Sequence, residues 1–144
     1  LTSNKNIYLL GKAYFSRSLI RVDHEVTERL ASEELVLIGI RTRGEFIALH
    51  LAETLKKISG TKVPTGFLDV TFYRDDFRER LIQPQVKGTD ISFSLDGKPV
   101  LLVDDVLFTG RTIRAAMNEI MDFGRPASVA LAVLGDRFHR EMPI

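Results

Sequence analysis

The run Leu35-Val36-Leu37-Ile38-Gly39-Ile40 is apolar without interruption and β-branched at its centre and end. A strand with no polar alternation has no face to give to water, so it belongs in a sheet covered on both sides. Further strands are expected at Val63 to Tyr73, after a break at Pro64, at Pro99 to Val103, and at Ser128 to Leu134. Between them the apolar period becomes helical. Phe15, Leu19, Val22, Val26 and Leu30 recur at steps of three and four, as do Ile47, Leu51, Leu55 and Ile58 ahead of Gly60. Thr112 to Phe123 carries Ile113, Met117 and Ile120 on one side, with Gly124 as its cap and Pro126 just beyond. This alternation predicts an α/β domain, a parallel twisted sheet flanked by helices. Arg74 to Thr89 is charged, aperiodic and broken by Pro84 and Gly88, the pattern of a long flexible loop arm. Ile91 and Phe93 then alternate with serines up to a turn at Asp96-Gly97.

In a parallel sheet of this kind, ligands bind beyond the carboxyl ends of strands. Two polar breaks qualify, Arg41 to Gly44 and Asp104 to Thr112. The second is the more specific. It follows the buried strand with two carboxylates, Asp104 and Asp105, then reaches Thr109, Gly110, Arg111 and Thr112 where a helix starts. The first N–H groups of a helix are unsatisfied and carry partial positive charge, so they seat an anion. Gly110 lets backbone approach a phosphate closely, and Thr109 and Thr112 add hydroxyl donors. Carboxylates upstream cannot bind that phosphate, but they accept bonds from sugar hydroxyls or help to hold Mg²⁺. A ribose 5-phosphate satisfies both ends. A lone Asp-Asp after a strand is more simply a solvated helix entrance; the whole segment from Val100 to Thr112 is what favours the ligand. In the first break, Arg41 and Arg43 have the bidentate geometry that suits pyrophosphate.

The segment from Val100 to Thr112 resembles the phosphoribosyl-pyrophosphate signature of type I phosphoribosyltransferases. Within that family the chain looks like the pyrimidine-operon attenuation regulators that double as uracil phosphoribosyltransferases. Asp69-Val70-Thr71-Phe72-Tyr73-Arg74-Asp75-Asp76, Phe123 to Pro126 and Leu131 to Ile144 extend the match over nearly the whole chain. The resemblance implies that Asp104 and Asp105 hold the ribose hydroxyls and Mg²⁺, with Asp105 also catalytic. It implies that Val106, Leu107, Phe108, Thr109, Gly110, Arg111 and Thr112 wrap the 5-phosphate. Thr42 and Arg43 would bind pyrophosphate, Arg74 would be the catalytic residue of a mobile lid, and Asp136 and Arg137 would lie near the base. Phosphoribosyl pyrophosphate, uracil and UMP are the implied small ligands, a messenger RNA leader and further copies of the chain the implied partners.

Arg17, Arg21 and His24 fall on one helical stripe, with Phe15 and Arg17 about 200° apart around the helix. Such a stripe is ordinarily a solvated face. The resemblance assigns Arg21, His24 and, with them, Arg140 to RNA, and Arg17 on the same stripe completes the expected RNA-binding surface. Two residues depart from the family pattern: Phe138 replaces a glycine and Gly135 a branched aliphatic. The chain reads as one domain, 1–144, ending where the family continues through a further segment that caps the base and finishes the sheet.

Composition narrows the alternatives. At 144 residues, with 44% hydrophobic and 27% charged, the chain has ordinary globular composition, can bury roughly two thirds of its surface, and fits one domain. It contains no cysteine, hence no disulfide or thiolate metal site, and no signal-peptide pattern or membrane-length apolar run, all of which suits the cytoplasm. The net charge of +1 means that an RNA surface would have to be local. No G-x-x-x-x-G-K-[ST] motif occurs, which excludes a P-loop NTPase. A regulator with little catalytic activity, or a phosphoribosyltransferase for a purine or orotate, remains as the alternative reading.

Overall fold

The computed structural model describes residues 2–30, 34–70 and 88–144, with side chains of the first helix described over 15–29. Its elements, in chain order, are α1 (Thr2–Leu30), β1 (Val36–Ile40), α2 (Arg43–Ser59), β2 (Thr65–Leu68), β3 (Pro99–Leu107), α3 (Arg111–Phe123) and β4 (Ser128–Asp136). The four strands form one parallel sheet in the order β2-β1-β3-β4. The chain runs outward from β1 to β2 and then returns to place β3 on the other side of β1, so a topological switch point lies between β1 and β3.

Side chains that alternate along the central strands build two cores. On one face Leu37, Leu101 and Val103 pack with Val22 and Val26 of α1 and with Ile47, Leu51 and Leu55 of α2. On the other, Ile38, Ile40, Val100 and Leu102 pack with Ile113, Ala116 and Ile120 of α3. All five residues of β1 are buried, as its unbroken apolar run requires. The α2 stripe differs from expectation at its end. Ile58 is exposed, and its place in the buried stripe is taken by Gly44 and Ala48 near the start. Phe15 is likewise exposed, on the wall of an open groove that it shares with Leu134 and Gly135.

β3 runs four residues past the expected Val103, because β4 keeps pairing with it as far as Leu107 with Asp136. Asp104 and Asp105 are therefore strand residues rather than loop residues. β2 is shorter than the expected Val63 to Tyr73 within the described residues, and 71–87, including the expected loop arm and Arg74, lie outside them. Ile91 and Phe93 pack against the α3-side core without forming a strand; a single antiparallel bridge joins Phe67 and Asp90. Gly124 caps α3 in extended rather than left-handed backbone (φ 166°). The reason for a glycine there is space: a Cβ would stand 2.8 Å from Asp96 Oδ1.

Candidate active site

Two close approaches bring the strand ends together at the switch point. A Cβ on Gly39 would lie 2.7 Å from the Gly44 carbonyl oxygen, and one on Gly44 would collide with the carbonyl oxygen of Val103. The first turn of α2 thus sits directly on β1 and β3, and the preceding Arg41-Thr42-Arg43 segment is pressed up to the end of β3. Its two arginines diverge. Arg41 turns toward β2, its guanidinium 5.1 Å from the centre of the Phe67 ring and 3.5 Å from Glu45. Arg43 reaches across the switch point to Asp105 Oδ2 at 3.3 Å. Thr42 is the exposed residue at the N-cap of α2, with no side-chain cap bond of its own.

Asp104 is buried, and its Oδ1 accepts the N–H of Asp105 at 2.8 Å; Asp105 Oδ1 in turn accepts the N–H of Val106 at 2.8 Å. Each carboxylate is therefore oriented by the backbone of the next residue, so neither has to be ordered when a ligand arrives. Beyond β3, Gly110 takes a left-handed conformation (φ 90°) at the N-cap of α3, a geometry that a side chain would strain. The Thr109 hydroxyl accepts the N–H of Arg111 at 3.2 Å. The next N–H groups of the first turn, on Thr112 and Ile113, have no carbonyl one turn back to reach. Thr42, Arg43, Asp104, Asp105, Val106 and Thr112 line one open cleft of about 360 Å³. A cleft with two carboxylates on one wall, an arginine on another and a helix N-terminus at its end can hold a sugar by its hydroxyls while anionic groups occupy either side.

The remaining expected residues lie at the end of β4. The Arg137 guanidinium stacks 4.5 Å over the Phe108 ring, and His139 meets that ring edge-on at 5.5 Å. Asp136 makes a two-pronged pair with Arg140, at 2.7 and 2.8 Å, and accepts the N–H of Phe138 at 2.8 Å. The Arg140 bonds, and secondarily the Phe138 N–H, hold the Asp136 carboxyl below its ordinary value of 3.8. Arg140 is thus placed against Asp136. Arg17, Arg21 and His24 are exposed on α1, away from the cleft lining. Sequence reasoning missed Glu141: its N–H and that of Met142 both donate to the Thr109 carbonyl, at 2.7 and 3.0 Å, and its carboxylate accepts Arg111 Nε at 2.8 Å. Partners thirty residues apart leave no periodic trace. The Asp136–Arg140 spacing of four was there to be seen.

Comparison with known proteins agrees with this geometry. The phosphoribosyl transferase domain model matches residues 16–144. The Bifunctional protein PyrR of Clostridioides difficile is 50% identical over 137 residues, covering 94% of this chain and 77% of that protein. Its namesake from Geobacter sp. strain M21 is 52% identical over 140 residues, covering 96% and 79%. The chain belongs to the PyrR family of type I phosphoribosyltransferases. Among solved structures, a purine phosphoribosyltransferase from Pyrococcus horikoshii superposes with a TM-score of 0.68 at 23% identity, covering 90% of this chain and 78% of that one. At that identity the likeness carries the fold. In this PyrR-family chain the cleft lies at the switch point between β1 and β3. No described helix is long and apolar enough to cross a membrane.

Proposed function

We propose that the chain transfers the phosphoribosyl group of phosphoribosyl pyrophosphate to uracil, giving UMP and pyrophosphate, and that it regulates pyrimidine genes by binding a messenger RNA leader in response to UMP. One observation carries the enzymatic half: Asp104 and Asp105, the head of α3 and Arg43 converge on one cleft at the switch point. The 5-phosphate lies against the N–H groups and hydroxyls from Val106 to Thr112. The ribose hydroxyls face Asp104 and Asp105, and pyrophosphate faces Thr42 and Arg43. As the bond from C1′ to pyrophosphate lengthens, positive charge develops on the ribose and negative charge on the leaving group. Asp105 and Arg43 are placed to oppose these two charges, and Arg74, outside the described residues, joins from the lid. No nucleophilic side chain is needed, since the base attacks directly.

Among the described residues no group of three or more His, Asp or Glu side chains could hold a metal. Mg²⁺ is commonly held by one or two carboxylates together with substrate phosphates and water, and Asp104 with Asp105 fits that donor set. Bound there, it would neutralise phosphate charge. Asp136 and Arg137 border the base. The regulatory half rests on the PyrR family and on Arg17, Arg21 and His24 standing exposed on α1, with Arg140 as a fourth contact. A homo-oligomer working in the cytoplasm completes the reading.

Calorimetry with phosphoribosyl pyrophosphate tests it. We expect binding that strengthens with Mg²⁺, and a double variant, Asp104→Asn with Asp105→Asn, that loses about 1.5–3 kcal/mol per charge-assisted bond while keeping its melting temperature. Unchanged binding in the double variant would remove the ribose assignment.

A further inference from the structure

We propose that Phe108 is a positioning residue for the base: its ring holds the Arg137 guanidinium in the orientation that reads a carbonyl edge. This rests on the reading above that Arg137 borders the base. Arg137 follows the last pair of β3 and β4, Leu107 with Asp136. Its backbone is pinned on both sides. Its own N–H donates to the Leu107 carbonyl at 2.9 Å, and the next N–H, on Phe138, donates to Asp136 at 2.8 Å. That fixes the root of a long side chain and leaves its tip to be held by something else. The neighbouring acid does not hold it, since Asp136 is clamped by both prongs of Arg140. What holds the tip is the Phe108 ring, 4.5 Å from the Arg137 guanidinium. His139 meets that ring edge-on at 5.5 Å and so steadies it from a second side.

A guanidinium over an aromatic face is attracted by the ring quadrupole, and the N–H groups in its plane stay free to donate outward. Phe108 is 44% exposed although it follows the buried Leu107, and its ring has no donor to offer a phosphate. The ring therefore serves the arginine, while the backbone of the same turn serves the anion. Two residues before it, Val106 lines the cleft, so the stack stands at the cleft's end of β3. Arginine has donors only and selects a ligand edge made of acceptors, which the carbonyl oxygens of uracil supply. Held on the ring before the ligand arrives, Arg137 has less rotamer freedom left to lose on binding. Phe108 thus strengthens base recognition through Arg137 rather than by its own contact.

Calorimetry with UMP and with ribose 5-phosphate, which differ by the base, tests this on the full chain. The variants are Phe108→Leu, Phe108→Tyr, Arg137→Gln and the double variant of Phe108→Leu with Arg137→Gln. We expect Phe108→Leu to bind UMP roughly 3- to 10-fold more weakly, as for loss of a cation–π contact. Ribose 5-phosphate should bind it as before, since leucine keeps the backbone N–H. Phe108→Tyr keeps the aromatic face and should match the parent. The double variant should bind UMP no more weakly than Arg137→Gln alone, because the ring acts through the guanidinium. Losses that simply add in the double variant overturn the proposal and leave the base reading standing. So does a Phe108→Leu variant that binds UMP like the parent, or one that loses both ligands equally. An Arg137→Gln variant that binds UMP like the parent overturns the proposal and the base reading together.

Discussion

Gly44 does at the scale of one residue what no helix propensity would suggest: it removes a side chain from the first turn of α2 so that the turn can rest on the Val103 carbonyl. An alanine there must push helix and strand apart backbone against backbone. We expect Gly44→Ala to cost about 3 kcal/mol or more in a urea titration, and to weaken phosphoribosyl pyrophosphate binding, since Thr42 and Arg43 move with the turn. A variant as stable as the parent would mean that the contact is looser than it looks. Asp136 gives a prediction in pH. Its folded carboxyl is held below the ordinary 3.8, first by Arg140 and then by the Phe138 N–H. A depressed carboxyl contributes stability that is present above its unfolded value and is lost as pH falls through the folded one. Asp136→Asn should therefore be the less stable protein near neutrality, with the gap closing as pH falls below the ordinary carboxylate value in acid denaturation profiles. Parallel profiles across that range would mean that the pair with Arg140 contributes nothing to folding. The sequence shows Asp136 and Arg140 four apart, but not that Phe138 between them turns left-handed, because that choice is made by the Asp136 oxygen accepting its N–H.

Elements were legible where burial alone decides them and illegible where a partner does. β1 declared itself through an apolar run that nothing could leave in water, and α3 through Ile113, Met117 and Ile120. β3 did not declare its length: Asp104 and Asp105 look like a loop, and only pairing with Val133 to Asp136 keeps them in the strand. The α2 stripe misled at Ile58, since small residues at Gly44 and Ala48 pack more deeply than a large one at the frayed end. In the cleft, the Asp104–Thr112 segment and Arg43 could be read from residue types and spacing, whereas Glu141 could not. Its segment braces the turn at the head of α3, through the Thr109 carbonyl and Arg111. The pair with Arg111 is half exposed, with side-chain exposures of 52% and 53%, so its worth is modest. We expect Glu141→Ala to weaken phosphoribosyl pyrophosphate binding by about 0.2–1 kcal/mol at low salt, an effect that fades as ionic strength rises. A loss that persisted undiminished in high salt would point to displacement of the loop itself, not to the ion pair.

At the scale of the whole molecule, the two halves of the proposed function occupy different surfaces joined through α1 and α2. Thr42 and Arg43 stand at the head of α2, and His50 further along that helix lies 3.0 Å from Asp23 of α1. Asp23 is flanked by Arg21 and His24, which point outward while Val22 and Val26 are buried. With a net charge of only +1, the chain has no general attraction for nucleic acid, so RNA affinity must come from such a local patch. The patch is not purely basic: Glu25 and Glu28 are exposed beside it, which limits how far its field extends. Each phosphate that a cation neutralises releases condensed counterions, and each lost contact should lower the slope of log affinity against log salt by about 0.7–0.9. Arg21→Gln should therefore reduce affinity for a pyrimidine-operon leader and flatten its salt dependence by one such step. Arg140→Gln should do less, because Arg140 is already committed to Asp136 and must exchange one anion for another. Binding of phosphoribosyl pyrophosphate serves as the control, since Arg21 takes no part in lining the cleft. Filter binding across a salt series, on the unaltered chain and both variants, separates the outcomes: if Arg21→Gln matches the parent in both affinity and slope, α1 is an ordinary solvated face and only the transferase half of the proposal stands.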